Sequence, residues 1–220
     1  MSDPWTIRRV LAWTTGFFES KALPQPRLDA ELLIGHALGL PRLQLYLQID
    51  KPLRPEELAA IRGLVKRRAA HEPVAYIVGA RGFWSLDLQV DARVLVPRPE
   101  TELLVERGLA RLEGLEAPTV VDVGTGSGCV ALALAEARPD ARVIAVDVSP
   151  DALAVAEANR AALGLTNLEL RHGDVLGPVP EQGLDLVVSN PPYIPTGDLA
   201  GLMPDVRRYE PRLALDGGPD

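Results

Sequence analysis

Asn190, Pro191, Pro192 and Tyr193 carry the side chains best suited to chemistry. They follow an apolar run, Leu184 to Val188, that reads as a buried strand. The two prolines stop its ladder, because neither donates a backbone N–H. Both keep their carbonyl oxygens, Asn190 adds a side-chain carbonyl oxygen, and Tyr193 adds a flat aromatic face. A stiff loop with outward acceptors beside a ring suits a planar –NH2 group, whose hydrogens go to the oxygens while its plane stacks on the ring. The plain alternative is a strand running out into a proline turn, since Asn and Pro are common turn formers.

A second stretch, Gly124-Thr125-Gly126-Ser127-Gly128, lies between a strand-like run, Thr119 to Val123, and an alanine- and leucine-rich helix, Cys129 to Ala137. Glycines there let a backbone approach a ligand closely, and the helix start adds N–H donors. Asp147 ends the next strand, 19 residues past Gly128, where a carboxylate accepts from both hydroxyls of a ribose. Asp174 follows a third strand and is placed to reach an adenine amino group. Together these point to a nucleoside-containing cofactor. No Gly-Lys-Ser/Thr follows the glycines, which excludes a phosphate-cradling P-loop. Cys129 stands where a dinucleotide fingerprint wants glycine, which counts against an NAD-dependent oxidoreductase.

The elements that must position these residues alternate. Arg142 to Val148 is a strand, Pro150 to Leu163 a helix, and Leu168 to Leu170 and Leu184 to Val188 are further strands. Alternation of this kind makes a parallel sheet covered on both faces, with right-handed crossovers. Ahead of it, Trp5 to Ser20, Leu28 to Leu38 and Pro55 to Ala70 have helical periods. They make a small bundle with Trp5, Trp13, Phe17 and Phe18 expected in its core and Lys66-Arg67-Arg68 expected as a solvated helix end. Val74 to Val78 and Phe83 to Val90 read as a hairpin around Gly79-Ala80-Arg81-Gly82. The expected organisation is therefore a helical bundle over 1–72, a β-hairpin linker over 73–96, and an α/β domain over 97–220. That last domain offers four sheet strands before the sequence stops, so the sheet reads as truncated.

Composition narrows the classes. Up to Leu95 there are 13 Lys and Arg against 10 Asp and Glu; from Val96 onward there are 10 against 20. An acidic catalytic half is a poor host for a polyanion, which weighs against nucleic acid as substrate. One cysteine allows no internal disulfide, no run of about 18 apolar residues spans a membrane, and MSDPWTIRRV lacks a signal-peptide pattern, so a cytoplasmic location is expected. His36, His71 and His172 are scattered, and no metal site is indicated. Cys129 reads as a small buried side chain; the competing reading is a thiol activated by its place at a helix start.

Taken in order, Pro97-Arg98-Pro99-Glu100-Thr101-Glu102, VVDVGTGSG, VSNPPYI and Tyr209-Glu210-Pro211 with Leu213, Ala214 and Leu215 resemble the HemK/PrmC family. Those are the glutamine-N5 methyltransferases of class I peptide chain release factors. The resemblance spans nearly the whole chain. It implies a class I, Rossmann-like, S-adenosylmethionine-dependent methyltransferase domain behind a helical substrate-recognition bundle. It assigns Gly124, Thr125, Gly126, Ser127 and Gly128 to the methionine moiety, Asp147 to ribose, and Asp174 with Val175 to adenine. Asn190 and Pro191 become the acceptors for the amide nitrogen, with Pro192 and Tyr193 packing on the substrate and Asn190 also touching the methyl donor. The implied protein substrate is the glutamine of a Gly-Gly-Gln loop. An N6-adenine nucleic-acid methyltransferase and a ribosomal-protein glutamine methyltransferase share the signature. The resemblance leaves Arg98 and Glu100 without an assigned role.

Overall fold

The computed structural model describes residues 4–219; the outermost residues of the expected first and last domains, 1–3 and 220, lie outside it. The chain divides into two compact units between Val78 and Gly79.

The first unit is helical. α1 (Ile7–Ser20) starts at Thr6, whose hydroxyl accepts from the Arg9 N–H at 3.3 Å, one of the donors a helix start leaves unpaired. Ile7, Leu11 and Phe18 on one face are buried. α2 (Pro26–Leu38) opens on a proline and ends at Gly39 in the left-handed conformation. α3 (Arg42–Leu47), α4 (Pro55–Ala69) and α5 (Val74–Val78) complete the unit, and Leu33, Ile34, Leu45, Ile61 and Ile77 join one apolar core.

Three expectations fail here. Val74 to Val78 is a helical turn, not a strand: Pro73 supplies a preset φ, and its carbonyl accepts from Tyr76 and Ile77 at 3.0 and 3.1 Å. Trp13 and Trp5 lie at the surface, 53% and 39% exposed, with Trp13 stacked on Phe17 at 5.2 Å and the Arg9 guanidinium over Trp5 at 5.1 Å. Arg68 is not solvated; it is buried, and its Nε donates to Asp29 Oδ2 at 2.7 Å, so the charge is paired where water is excluded.

The second unit opens with the hairpin, one turn later than expected: β1 (Ala80–Phe83) pairs antiparallel with β2 (Leu86–Gln89) across Trp84 and Ser85. The hairpin is no free linker, because Phe83, Leu86 and Leu88 are buried in the core that the sheet also builds. A short 3-10 turn, Pro99–Thr101, leads into α6 (Glu102–Arg111). β3 (Thr119–Val123), α7 (Cys129–Ala137), β4 (Arg142–Asp147), α8 (Pro150–Leu163), β5 (Leu168–His172) and β6 (Leu186–Ser189) follow. The sheet order is β5-β4-β3-β6 and every pair is parallel. Val143 to Val146 are fully buried, as strands covered on both faces must be.

Beyond β6 a short parallel pair forms between β7 (Ile194–Pro195) and β8 (Asp216–Gly218). The chain between them turns through 3-10 segments and α9 (Pro204–Tyr209). No helix among the described residues is long and apolar enough to cross a membrane.

The order matters for function. From β3 the chain steps outward to β4 and β5, then returns to place β6 on the other side of β3. Strand order reverses there, and ligands of open α/β sheets bind outside the carboxyl ends at such a point.

Candidate active site

Each strand delivers one chemistry-bearing residue at its carboxyl end. In register Val123 lies opposite Ser189 and also opposite Val146, and Asp147 lies opposite His172. Gly124, Asp147, Asp174 and Asn190 therefore emerge along one rim. Ser189 Oγ donates to the Val123 carbonyl at 2.8 Å, tying the end of β6 to the start of the glycine loop.

The loop is shaped by φ angles that side chains avoid. Gly126 has φ +58, and its N–H donates to Asp147 Oδ2 at 2.8 Å. Gly128 has φ +84 and precedes α7. A Cβ there would meet Leu132 Cδ1 at 2.9 Å, so glycine also permits α7 to pack. Asp147 is 9% exposed, and its second oxygen accepts from the Ser149 N–H at 2.9 Å, at the start of α8. Two N–H donors on one carboxylate leave acceptor capacity for further hydroxyls.

These rim residues enclose a cavity of about 340 Å3, inside the range of about 300–1,000 Å3 usual for small-molecule sites. Gly124, Gly126, Asp147, Asp174, Val175, Asn190, Pro191 and Pro192 line it. Val175 holds φ +47, a costly conformation for a β-branched residue, beside the exposed Asp174. Thr125 and Ser127 instead line a smaller hollow of about 40 Å3, which shares Gly124, Gly126 and Asn190 with the main cavity and is also lined by Thr101. Gly128 lines neither. Tyr193 lies outside both and is 77% exposed.

Residues 9–79 match the PrmC N-terminal domain, and residues 99–200 match the Methyltransferase small domain. A protein of Geobacter sulfurreducens named Release factor glutamine methyltransferase is 51% identical over 216 residues, covering 98% of this chain and 75% of that one. A protein of the same name from Chlorobaculum tepidum is 47% identical, covering 96% of this chain and 75% of its own. The chain belongs to the release factor glutamine methyltransferase family. It spans about three quarters of the length of these relatives. The methyltransferase match contains the strand-end residues of the rim, whereas Pro211, Leu213 and Ala214, which also line the main cavity, lie outside the matched residues.

Within this family fold, two features escaped the sequence reading, Asp122 and the Arg98–Glu210 pair, while Cys129 follows its reading as an inert, small side chain. Asp122, in the middle of a strand motif, is buried at 2% exposure. Burial pushes its carboxyl from 3.8 to about 6, against the pull of Thr125 Oγ1, which donates at 2.6 Å, and of the Ala131 N–H at 3.2 Å. Cys129 is no activated thiol: loss of water around it, with the Asp122 charge nearby, pushes it up to about 12. Arg98 and Glu210, 112 residues apart, form an ion pair at 2.6 Å, and the Glu210 side chain is 2% exposed. Burial raises the Glu210 carboxyl, and Arg98 opposes that shift. This pair joins the Pro97–Glu102 motif to the Tyr209–Leu215 motif, which the sequence shows only as two separate stretches.

Proposed function

We propose that this protein transfers a methyl group from S-adenosylmethionine to the side-chain amide nitrogen of the glutamine in the Gly-Gly-Gln loop of class I peptide chain release factors. Family membership supports the reaction class and the substrate. The observation that carries the reading is the place of Asn190: it lines the main cavity with the glycine loop and Asp147, and it is followed by two prolines that keep their carbonyls and have no backbone N–H of their own.

The donor set fits the cofactor. A carboxylate at the end of β4 suits ribose hydroxyls, Asp174 suits an exocyclic amine, and the turn at Gly124 and Gly126 suits close approach of a thin chain. When bound, S-adenosylmethionine supplies a methyl group already activated for transfer. The remaining task falls to the protein. An amide nitrogen is a poor nucleophile because its lone pair is delocalised into the carbonyl. The Asn190 side-chain oxygen and the Pro191 carbonyl accept from the glutamine –NH2, orient it and favour loss of a proton as the nitrogen gains positive charge. Tyr193, exposed at the rim, is available to a partner's surface.

The acceptor assignment is tested directly by offering labelled methyl donor to purified class I release factor, ribosomal protein and duplex DNA in parallel. Label is expected on the release factor, in the peptide containing Gly-Gly-Gln. Label on ribosomal protein or DNA instead would contradict the proposal.

A further inference from the structure

Thr101 touches Asn190 without lining the main cavity. The Asn190 Nδ2–H donates to Thr101 Oγ1 at 3.3 Å across 89 residues of sequence, a long hydrogen bond of the kind that tightens when a site is filled. An asparagine amide has two ends of similar shape and opposite polarity. With its oxygen toward the cavity it accepts from a substrate –NH2; turned over, it sets donor against donor. A partner at the far end of the amide holds the side chain at the cavity; a hydroxyl can accept from Nδ2 or donate to Oδ1, so it fixes the place of the amide and leaves the substrate to select the end it meets.

Thr101 is built to hold still. It is 8% exposed and ends the Pro99–Thr101 turn, where its N–H donates to the Arg98 carbonyl at 3.0 Å. The Arg98 guanidinium is in turn fixed on buried Glu210. Thr101 shares only the smaller hollow with Asn190 and the glycine loop.

Resting on the amide-methylation reading above, we infer that Thr101 is a positioning residue that holds the Asn190 side chain in place at the cavity for catalysis. Its hydroxyl acts through Asn190, not on substrate or cofactor. The Arg98–Glu210 pair serves the same end by anchoring the turn that carries Thr101.

The test compares Thr101→Val, which keeps the shape and removes the oxygen, with Thr101→Ser, which restores it. A neutral hydrogen bond is worth about 1 kcal/mol, so Thr101→Val is expected to lower kcat on release factor about fivefold. S-adenosylmethionine affinity by calorimetry and KM for release factor should stay within about twofold of wild type, within ordinary scatter. Thr101→Ser should recover most of kcat. In an Asn190→Ala background, Thr101→Val should cost nothing further, because the group it positions is gone. A wild-type kcat in Thr101→Val, a parallel loss of cofactor affinity, or an undiminished effect in the Asn190→Ala background would each overturn the positioning role. Wild-type protein that left release factor unlabelled would overturn the functional reading and this inference with it. Wild-type transfer matched by Thr101→Val would overturn this inference alone.

Discussion

Asp147 and Gly126 are joined by a 2.8 Å hydrogen bond from the glycine N–H to Oδ2, so the carboxylate at the end of β4 fastens the loop after β3. The same carboxylate is the acceptor proposed for the ribose hydroxyls. Asp147→Ala removes ligand partner and loop fastener together. Hydrogen bonds to a charged group are worth roughly 1.5–3 kcal/mol, so S-adenosylmethionine affinity should fall about tenfold to a hundredfold. Calorimetry on a variant with unaltered circular dichroism checks this. Unchanged affinity would remove Asp147 from the site.

Asp122 gives a pH signature. Its folded carboxyl sits at about 6 against the usual 3.8, so between those values the folded chain binds more protons than the unfolded chain. Stability from this group is therefore fully present below about pH 4 and is lost as pH rises towards 6. Asp122→Asn removes the titration. The stability of wild type minus that of the variant should decline across this window by on the order of 3 kcal/mol. Denaturant melts at a series of pH values measure it, and a flat difference would show that Asp122 ionises freely.

Arg98→Ala should leave Glu210 buried without its partner. Breaking a buried pair in this way costs about 3–5 kcal/mol, and the lower end applies because the Arg98 side chain is 35% exposed. Glu210→Gln, which removes the charge as well, should cost less. Urea melts of the two variants rank them; equal or reversed losses would show that the uncompensated charge is not the cause.

The glycine loop, Asp147 and the Asn-Pro-Pro-Tyr loop were legible because each is a short run placed next to its own strand. Strand ends in a parallel sheet fall on one rim, so alternation alone brings such residues near each other. Thr101 and Glu210 were not legible, since their meaning lies in contacts across 89 and 112 residues. Asp122 hid inside an apolar strand pattern that says nothing about which neighbour donates to it. Val74 to Val78 was misread because a five-residue apolar run carries no usable period, and Pro73 decided its conformation. Trp13 was misplaced because burial frequency cannot tell a core aromatic from one stacked at the surface.

Tyr193 is 77% exposed, so Tyr193→Ala removes little internal packing. Its melting temperature and S-adenosylmethionine affinity should match wild type. The loss should appear in kcat/KM for release factor, through a weaker contact with the substrate. A Tyr193→Ala protein with wild-type kcat/KM would take the ring out of substrate recognition.

The central claim is that Asn190 grips the glutamine amide. The direct measurement is the single-turnover rate of methyl transfer to the Gly-Gly-Gln peptide of a class I release factor, read by mass spectrometry, for wild type and Asn190→Ala at saturating methyl donor. Losing one preorganised polar partner of the transition state costs about 10²–10³ in rate, and that drop is expected here with cofactor affinity nearly intact. Transfer by Asn190→Ala at the wild-type rate would contradict the claim and leave the loop as a strand ending in a proline turn.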